Sequence, residues 1–210
     1  MTNFLNEYGS DLLLKTWEQL YISLIALGLG IIVAVSLGIA LTRFPRTSKV
    51  VIGICSMLQT APSLALLALM IPIFGIGKFP AIIALFIYSL LPILRNTCIG
   101  MDGVDPSLID SAKGMGMTKW QQLWMIEIPL SVSVIMAGIR NALVVAIGVT
   151  AIGAFIGAGG LGDIIIRGTN TNNGGAIILA GALPTALMAI VSDLVLGGIQ
   201  KLISPKGLRE

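Results

Sequence analysis

The side chains that most often carry out chemistry are scarce in this sequence. It contains no histidine, and its two cysteines, Cys55 and Cys98, lie in separate apolar runs. Zinc and haem sites need a set of histidine or cysteine ligands, and a thiol nucleophile needs a basic partner. The composition therefore predicts no catalytic residue, no metal site and no cofactor bound by this chain.

One glycine motif has the spacing of a nucleotide-binding turn. Gly157, Gly159 and Gly162 match the pattern Gly-x-Gly-x-x-Gly. In dinucleotide-binding proteins this motif follows a β-strand, whereas here it follows a long apolar run without strand-like alternation. We interpret it as part of a re-entrant or extracytoplasmic loop, which Gly174 and Gly175 close.

Two charged residues lie inside long apolar runs. Arg140 is near the middle of one run, and Asp193 is in the next. An arginine at such a depth in a bilayer is costly, so it should face protein or water. An ion pair between the two is feasible. The alternative is that Arg140 binds backbone carbonyls or lines a solute path, while Asp193 lies near the cytoplasmic interface of the membrane.

Weakly polar side chains in other apolar runs are candidates for the lining of a translocation path. The alternative is that each bonds to the backbone of its own helix. With Arg140, the candidates are Gln59, Thr60, Ser63, Ser89 and Asn96.

The elements that must position these residues are membrane-spanning helices. Of the 210 residues, 56% are hydrophobic and 11% are charged, which leaves too little polar surface to face water on all sides. Five apolar runs are close to the ~20 residues that a helix needs to cross a bilayer. They cover about residues 20–41, 51–74, 80–99, 130–156 and 176–199. The sequence predicts an all-α integral membrane protein with a single domain, residues 1–210.

Two local features refine these helices. Prolines interrupt several runs, at Pro62, Pro72, Pro92 and Pro184, which predicts kinked helices around a pathway or simply the usual proline content of membrane helices. Small residues recur every four positions from Ala26 to Gly38, which predicts a close-packing seam, within the subunit or between two.

The distribution of lysine and arginine predicts the orientation of the chain. Nine of these residues fall on one side of the five runs and three, Lys15, Lys78 and Arg167, fall on the other. Cytoplasmic loops carry the excess of basic residues, so the N-terminus should be outside and the C-terminus cytoplasmic. The basic residues form no stripe with interleaved aromatics, so we expect no nucleic-acid partner.

The polar segment 100–129, on the predicted cytoplasmic side, contains two helix starts. Asp105 can cap a first helix with Pro106 at its first position, and glycines end that helix. Thr118 followed by Gln121 is a capping box that starts a second helix, before Pro129. This helix-turn-helix is either a docking element for a soluble partner or an amphipathic hairpin on the lipid surface.

This segment resembles the cytoplasmic loop of permease subunits from ATP-driven (ABC) importers that work with a solute-binding protein. That loop has the pattern Glu-Ala-Ala, three residues, Gly, nine residues, Ile, one residue, Leu-Pro. This chain keeps every spacing, with Asp for Glu, Ser for the first Ala and Ile for Leu as departures. The matching residues are Asp110, Ser111, Ala112, Gly116, Ile126, Ile128 and Pro129.

Four further stretches resemble the permeases of osmoprotectant importers in particular. They are residues 59–63, 74–77, 91–96 and 157–162. The resemblance implies a type I ABC importer permease fold in a bacterial cell membrane. It also implies three protein partners: a cytoplasmic ATPase that binds ATP, a second permease subunit that is identical or similar, and an extracytoplasmic solute-binding protein.

The residues implied to couple this chain to the ATPase lie in the polar segment. They are Asp110, Ser111, Ala112, Gly116, Thr118, Trp120, Gln121, Trp124, Ile126 and Pro129. The implied cargo is glycine betaine, carnitine or choline. A related importer for methionine or another small amino acid is the alternative, and a self-contained channel or secondary carrier is a third hypothesis, although the chain shows no repeated halves.

Overall fold

The structure, a computed structural model, describes residues 2–204, and every element in that range is a helix. The helices are α1 (Thr2–Leu41), α2 (Pro45–Thr60), α3 (Ser63–Phe74), α4 (Lys78–Asp102), α5 (Pro106–Gly114), α6 (Lys119–Gln122), α7 (Ile128–Gly153), α8 (Gly162–Thr169) and α9 (Gly175–Ile203). A π-helical turn, Leu123–Glu127, joins α6 to α7, and a 3₁₀ turn, Ala154–Ile156, follows α7. The predicted all-α class is confirmed.

Four helices are long and apolar enough to cross a membrane, and a bent pair provides a fifth span if it is counted as one. The four are Ser10–Leu41, Lys78–Asp102, Lys119–Ile156 and Gly175–Ile203, and the bent pair is α2 with α3. All five correspond to predicted runs. The first helix begins well before residue 20, because the more polar residues that precede the apolar run are also helical. Lys206 and Arg209, used to predict orientation, lie outside the described residues.

The second predicted span is not one continuous helix. α2 and α3 meet at an angle of 97°. Proline disfavours the helical conformation of the residue before it, and Ala61, which precedes Pro62, is extended with ψ 133°. The Tyr88 hydroxyl donates a hydrogen bond to the Ala61 carbonyl, which the break removes from the helix ladder. The other three prolines lie inside continuous helices.

The core forms where α4 packs between α1 and α7. Ile93 and Leu94 of α4 are completely or almost completely buried there, as is Ile147 of α7. The predicted small-residue seam of α1 lies within the subunit: a Cβ at Gly38 would be 2.7 Å from the side chain of Thr97 on α4. The close approach of α1 and α4 thus depends on this seam.

Both predicted helix starts in the polar segment are confirmed. The carboxylate of Asp105 accepts a hydrogen bond from the Ser107 amide at 2.8 Å, which holds the pKa of this carboxyl below its usual range. Thr118 and Gln121 form the reciprocal capping box, in which the Thr118 amide donates to the Gln121 side chain at 2.8 Å.

The second helix of this segment continues directly into the fourth span. No turn separates it from the fourth span, because α6, the π-helical turn and α7 form one continuous helical stretch, Lys119–Ile156. Pro129 cannot donate to a carbonyl one turn earlier, and its ring crowds that carbonyl. The π-helical turn directly before it, where the Ile128 amide donates to the Leu123 carbonyl, accommodates this mismatch.

The predicted loop after the glycine motif is only partly a loop. Residues 157–161 form an irregular turn, but α8 begins at Gly162 and packs against α9. Its eight residues therefore fill much of the region between the glycine motif and Gly174.

Candidate functional site

The docking segment, residues 103–127 between α4 and α7, is the main exposed feature between the spans. Asp110 and Ser111 are exposed on α5, whereas Ala112 beside them is fully buried. Ala112 therefore anchors α5 to the rest of the chain while its neighbours face outward.

The turn between α5 and α6 is closed by backbone hydrogen bonds around Gly116. The Gly116 amide donates to the Lys113 carbonyl at 2.9 Å, and the Met117 amide donates to the Ala112 carbonyl at 3.1 Å. Gly116 has φ +79°, in the left-handed region that favours glycine. The angle between the two helices of the docking segment thus depends on this residue.

An apolar surface covers the outside of the docking segment. Trp120 and Trp124 pack edge to face, with ring centroids 5.7 Å apart, and both are more than half exposed. Met115, at the end of α5, is 73% exposed. Ile126 and Pro129, at the end of the predicted motif, are half-buried. Exposed apolar side chains of this size on one polar segment are typical of a surface that contacts either a protein or a membrane.

The predicted path residues are bonded mostly to backbone. Thr60 donates to the Met57 carbonyl and Ser89 to the Phe86 carbonyl, each at 2.7 Å, and Asn96 donates to the Pro92 carbonyl at 2.8 Å. These bonds follow the alternative of helix-backbone bonding. Gln59 donates across to α4 instead, to the Tyr88 carbonyl at 3.5 Å, and Ser63 is half-buried. Their role in a path stays a prediction.

Arg140 and Asp193 form a two-pronged ion pair between α7 and α9. Two guanidinium nitrogens of Arg140 each donate to one oxygen of Asp193, both at 2.8 Å. A third donates to the side-chain oxygen of Gln200 at 3.0 Å, and the Gln200 amide donates to the Ser133 carbonyl on α7 at 3.0 Å. Parallel bonds of this kind fix both distance and orientation, so they hold α9 against α7.

A second polar network, which the sequence analysis did not predict, ties α1 to the glycine motif. Glu18 accepts hydrogen bonds from Lys15 at 3.1 Å, from Lys78 at 2.8 Å and from the Gly160 amide at 3.2 Å. Lys15 also donates to Asp163 at 2.6 Å. Lys15 and Glu18 lie one turn apart on α1, whereas Lys78 on α4 and Asp163 on α8 are far from them in the sequence.

Buried amides extend this network into the bundle. Gln19, fully buried, accepts from the Leu161 amide and donates to the Ile147 carbonyl, both at 2.9 Å. One turn further along α1, Ser23 and Thr150 share a hydrogen bond of 2.9 Å. The possible signal in the sequence was the run of polar residues at one-turn spacing on α1, inside a long apolar helix.

Breaking the Arg140–Asp193 pair on one side should destabilise the protein more than removing both charges. Asp193→Asn leaves the guanidinium without its anion at the α7–α9 contact, so we expect a lower thermal unfolding midpoint in detergent. Arg140→Gln with Asp193→Asn should recover much of that loss. Asp11→Asn, which breaks the exposed Arg167–Asp11 pair, is the matched control and should change little. A double variant no more stable than Asp193→Asn would contradict a charge-based role.

The bundle of spanning helices, with an exposed segment between the third and fourth spans, defines a multi-pass membrane protein. The chain belongs to the family described as binding-protein-dependent transport system inner membrane component, whose model matches residues 26–208. The family predicted from the coupling-loop motif is therefore confirmed, and the self-contained channel or secondary carrier loses its support.

Curated relatives cover the whole chain. It is 53% identical to the carnitine transport permease protein OpuCB of Listeria monocytogenes, over 100% of this chain and 96% of the relative. It is 52% identical to the glycine betaine/carnitine/choline transport system permease protein OpuCB of Bacillus subtilis, again over 100% of this chain and 96% of the relative. The resemblance to osmoprotectant permeases is confirmed.

The fold is that of a solved importer. A chain of the MetNI methionine ABC transporter, in an inward-facing conformation, superposes with a TM-score of 0.82 at 21% identity, covering 92% of this chain and 97% of that one. The predicted type I ABC importer permease fold is confirmed by this similarity.

Proposed function

We propose that this chain is the membrane-spanning permease subunit of an ATP-driven importer for quaternary-amine compatible solutes: glycine betaine, carnitine or choline. The observation that carries the cargo is the identity of about half, along the full chain, to permeases named for these solutes. The methionine transporter shares the fold at much lower identity, which says nothing about cargo.

The docking segment supports the proposed coupling role. Its exposed surface joins polar residues, Asp110 and Ser111, to an apolar group formed by Met115, Trp120 and Trp124. A surface of this mixed character suits insertion into a cleft of a soluble ATPase. ATP would bind to that ATPase and not to this chain. Movement of the ATPase would then reach the spans through the continuous helix that starts at α6.

The same arrangement supports an orientation. Arg43 lies in the link between α1 and α2 and contacts Glu127 of the docking segment, and Arg46 and Lys49 follow in the first turns of α2. Basic residues thus gather at the end of the bundle that carries the docking segment, so this end is cytoplasmic and the N-terminus is outside. A solute-binding protein would deliver cargo at the opposite end, and a second permease subunit, identical or similar, would complete the path.

Uptake of radiolabelled solutes by cells that express the chain with its ATPase and binding protein tests this function. We expect saturable uptake of at least one quaternary amine, abolished by vanadate or by omission of the ATPase. Uptake of methionine, and of none of the quaternary amines, would contradict the proposed cargo. Uptake that is indifferent to ATP would contradict the importer mechanism.

A further inference from the structure

Glu127 is a buried carboxylate in the docking segment. Its side chain is 6% exposed, and its two oxygens accept hydrogen bonds from one guanidinium nitrogen of Arg43 at 2.8 and 3.0 Å. In the described part of the chain, Arg43 is the one cation that pairs with it. Removing one partner of a buried ion pair is strongly destabilising, because it leaves the other charge without compensation. The pair is therefore a strong constraint between two segments 84 residues apart.

The two partners belong to segments that have different roles. Arg43 lies in the α1–α2 link, residues 42–44, and is itself half exposed, so burial does not hold this link in place. Glu127 is the last residue of the docking segment, directly before α7. The ion pair thus connects the start of α2 to the point where the docking segment becomes the fourth span.

The local backbone at Glu127 is unusual. It ends the π-helical turn, and its carbonyl accepts a hydrogen bond from the Ser131 hydroxyl at 2.6 Å. π-helical turns are rare overall, and those that do occur are often found at functional sites. The wider turn changes which face of the helix each residue occupies, and here the outcome is that Glu127 is buried while Trp124, one turn earlier, is exposed.

α2 is the element that such a link can move. None of its 16 residues is buried within this chain, although a few pack partly against the core. Beyond α2 the chain bends by 97° into α3. At its far end α2 is hydrogen-bonded to Tyr88 of α4, and Arg43 sits at its near end, so the near end is the one that the ion pair can displace.

We propose that Arg43 and Glu127 are a positioning pair that carries displacement of the docking segment sideways to α2, in parallel with the direct path along α7. This inference rests on the proposed function, because it needs an ATPase that moves the docking segment. The inference does not depend on which solute is carried.

The test follows α2 directly in the assembled complex with its ATPase. Met57 on α2 is 76% exposed, so Met57→Cys, in a background with Cys55→Ala and Cys98→Ala, gives a thiol whose labelling rate reports its surroundings. We expect that rate to change when ATP and vanadate are added. In Arg43→Gln the change should shrink by about fivefold or more, the lower range of typical coupling between sites, while ATP hydrolysis continues.

Two further variants separate positioning from folding. Arg43→Gln with Glu127→Gln removes the unpaired buried charge, so it should recover thermal stability but not the labelling change. Arg167→Gln is the matched control: Arg167 is half exposed and pairs with Asp11 at 2.8 Å, as Arg43 does with Glu127, but the Asp11 side chain is 30% exposed. It should keep the full labelling change.

Several outcomes would overturn the proposal. They are a full labelling change in Arg43→Gln, its recovery in the double variant, or no change at position 57 in the parent protein. Since the measurement uses no solute, absence of quaternary-amine uptake would contradict the proposed cargo alone. Absence of ATP hydrolysis by the assembled complex would contradict the importer itself.

Discussion

Replacing Gly116 with valine is expected to reduce ATP-driven uptake by roughly tenfold or more while the helix bundle stays folded. A residue with a β-carbon loses about 1–2 kcal/mol in the left-handed conformation, and a β-branched residue loses more. Gly116 adopts that conformation with φ +79°. Nothing lies within 4 Å of an added Cβ, so the effect would come from the backbone and not from a clash. The turn that sets the angle of α5 against α6 would change.

Gly114→Val is the matched control for this prediction. Gly114 is two residues away, is the last residue of α5, and also has nothing within 4 Å of an added Cβ, but its φ is not positive. Uptake and co-purification with the ATPase should be measured for both variants. Equal losses would mean that added bulk on the docking surface, and not the backbone conformation, causes the defect.

Replacing Gly162 with valine is expected to prevent stable folding. The Cβ of any other residue there would lie 1.9 Å from the carbonyl oxygen of Ala151, near the end of α7. Backbone atoms cannot move aside as a side chain can, so α8 would have to leave its place. Defects of this kind in a packed core cost about 4 kcal/mol or more, a large part of the stability of most proteins.

The yield of monodisperse protein after size-exclusion chromatography in detergent measures this effect. Gly198→Val adds the same side chain to α9, where nothing lies within 4 Å of the new Cβ, and should behave like the parent protein. A monodisperse Gly162→Val protein with an unchanged unfolding midpoint would show that the α7–α8 contact tolerates this bulk.

The features that followed from the sequence are those set by neighbouring residues. Asp105 and Thr118 begin helices because their side chains reach amides two or three positions on, and such short-range bonds depend on little else. The apolar runs gave the spans because the bilayer requires a fixed length of apolar helix. The coupling motif gave the family because its spacing is long and specific.

What the sequence did not indicate depends on the tertiary arrangement. The same rule applied to Pro62, Pro92 and Pro184, yet the helix ends at Pro62 and continues through the other two. At Pro62 the preceding Ala61 is extended, and its carbonyl has a partner, Tyr88, on α4. That partner is 27 residues away, so no local rule includes it.

Of the ion pairs across the bundle, the sequence suggested one and missed another. A pair of Arg140 with Asp193 was one of two open interpretations, because both stood out in apolar runs, and the structure contains that pair. The sequence did not indicate an ion pair for Glu127, because this residue lies in a polar segment, where a carboxylate is usually solvated. Its burial arises only when the π-helical turn and the α1–α2 link come together.

Tolerance to substitution on the exposed face of α2 should depend on what surrounds the subunit more than on the subunit's own packing. Ile54, Met57 and Leu58 are 54%, 76% and 40% exposed, so changing them removes little of the subunit's own packing. In a saturation scan of these positions, the set of tolerated residues would therefore reflect contacts with lipid and with neighbouring subunits. Positions that accept any apolar residue would mark lipid, and positions that accept only one size or shape would mark protein.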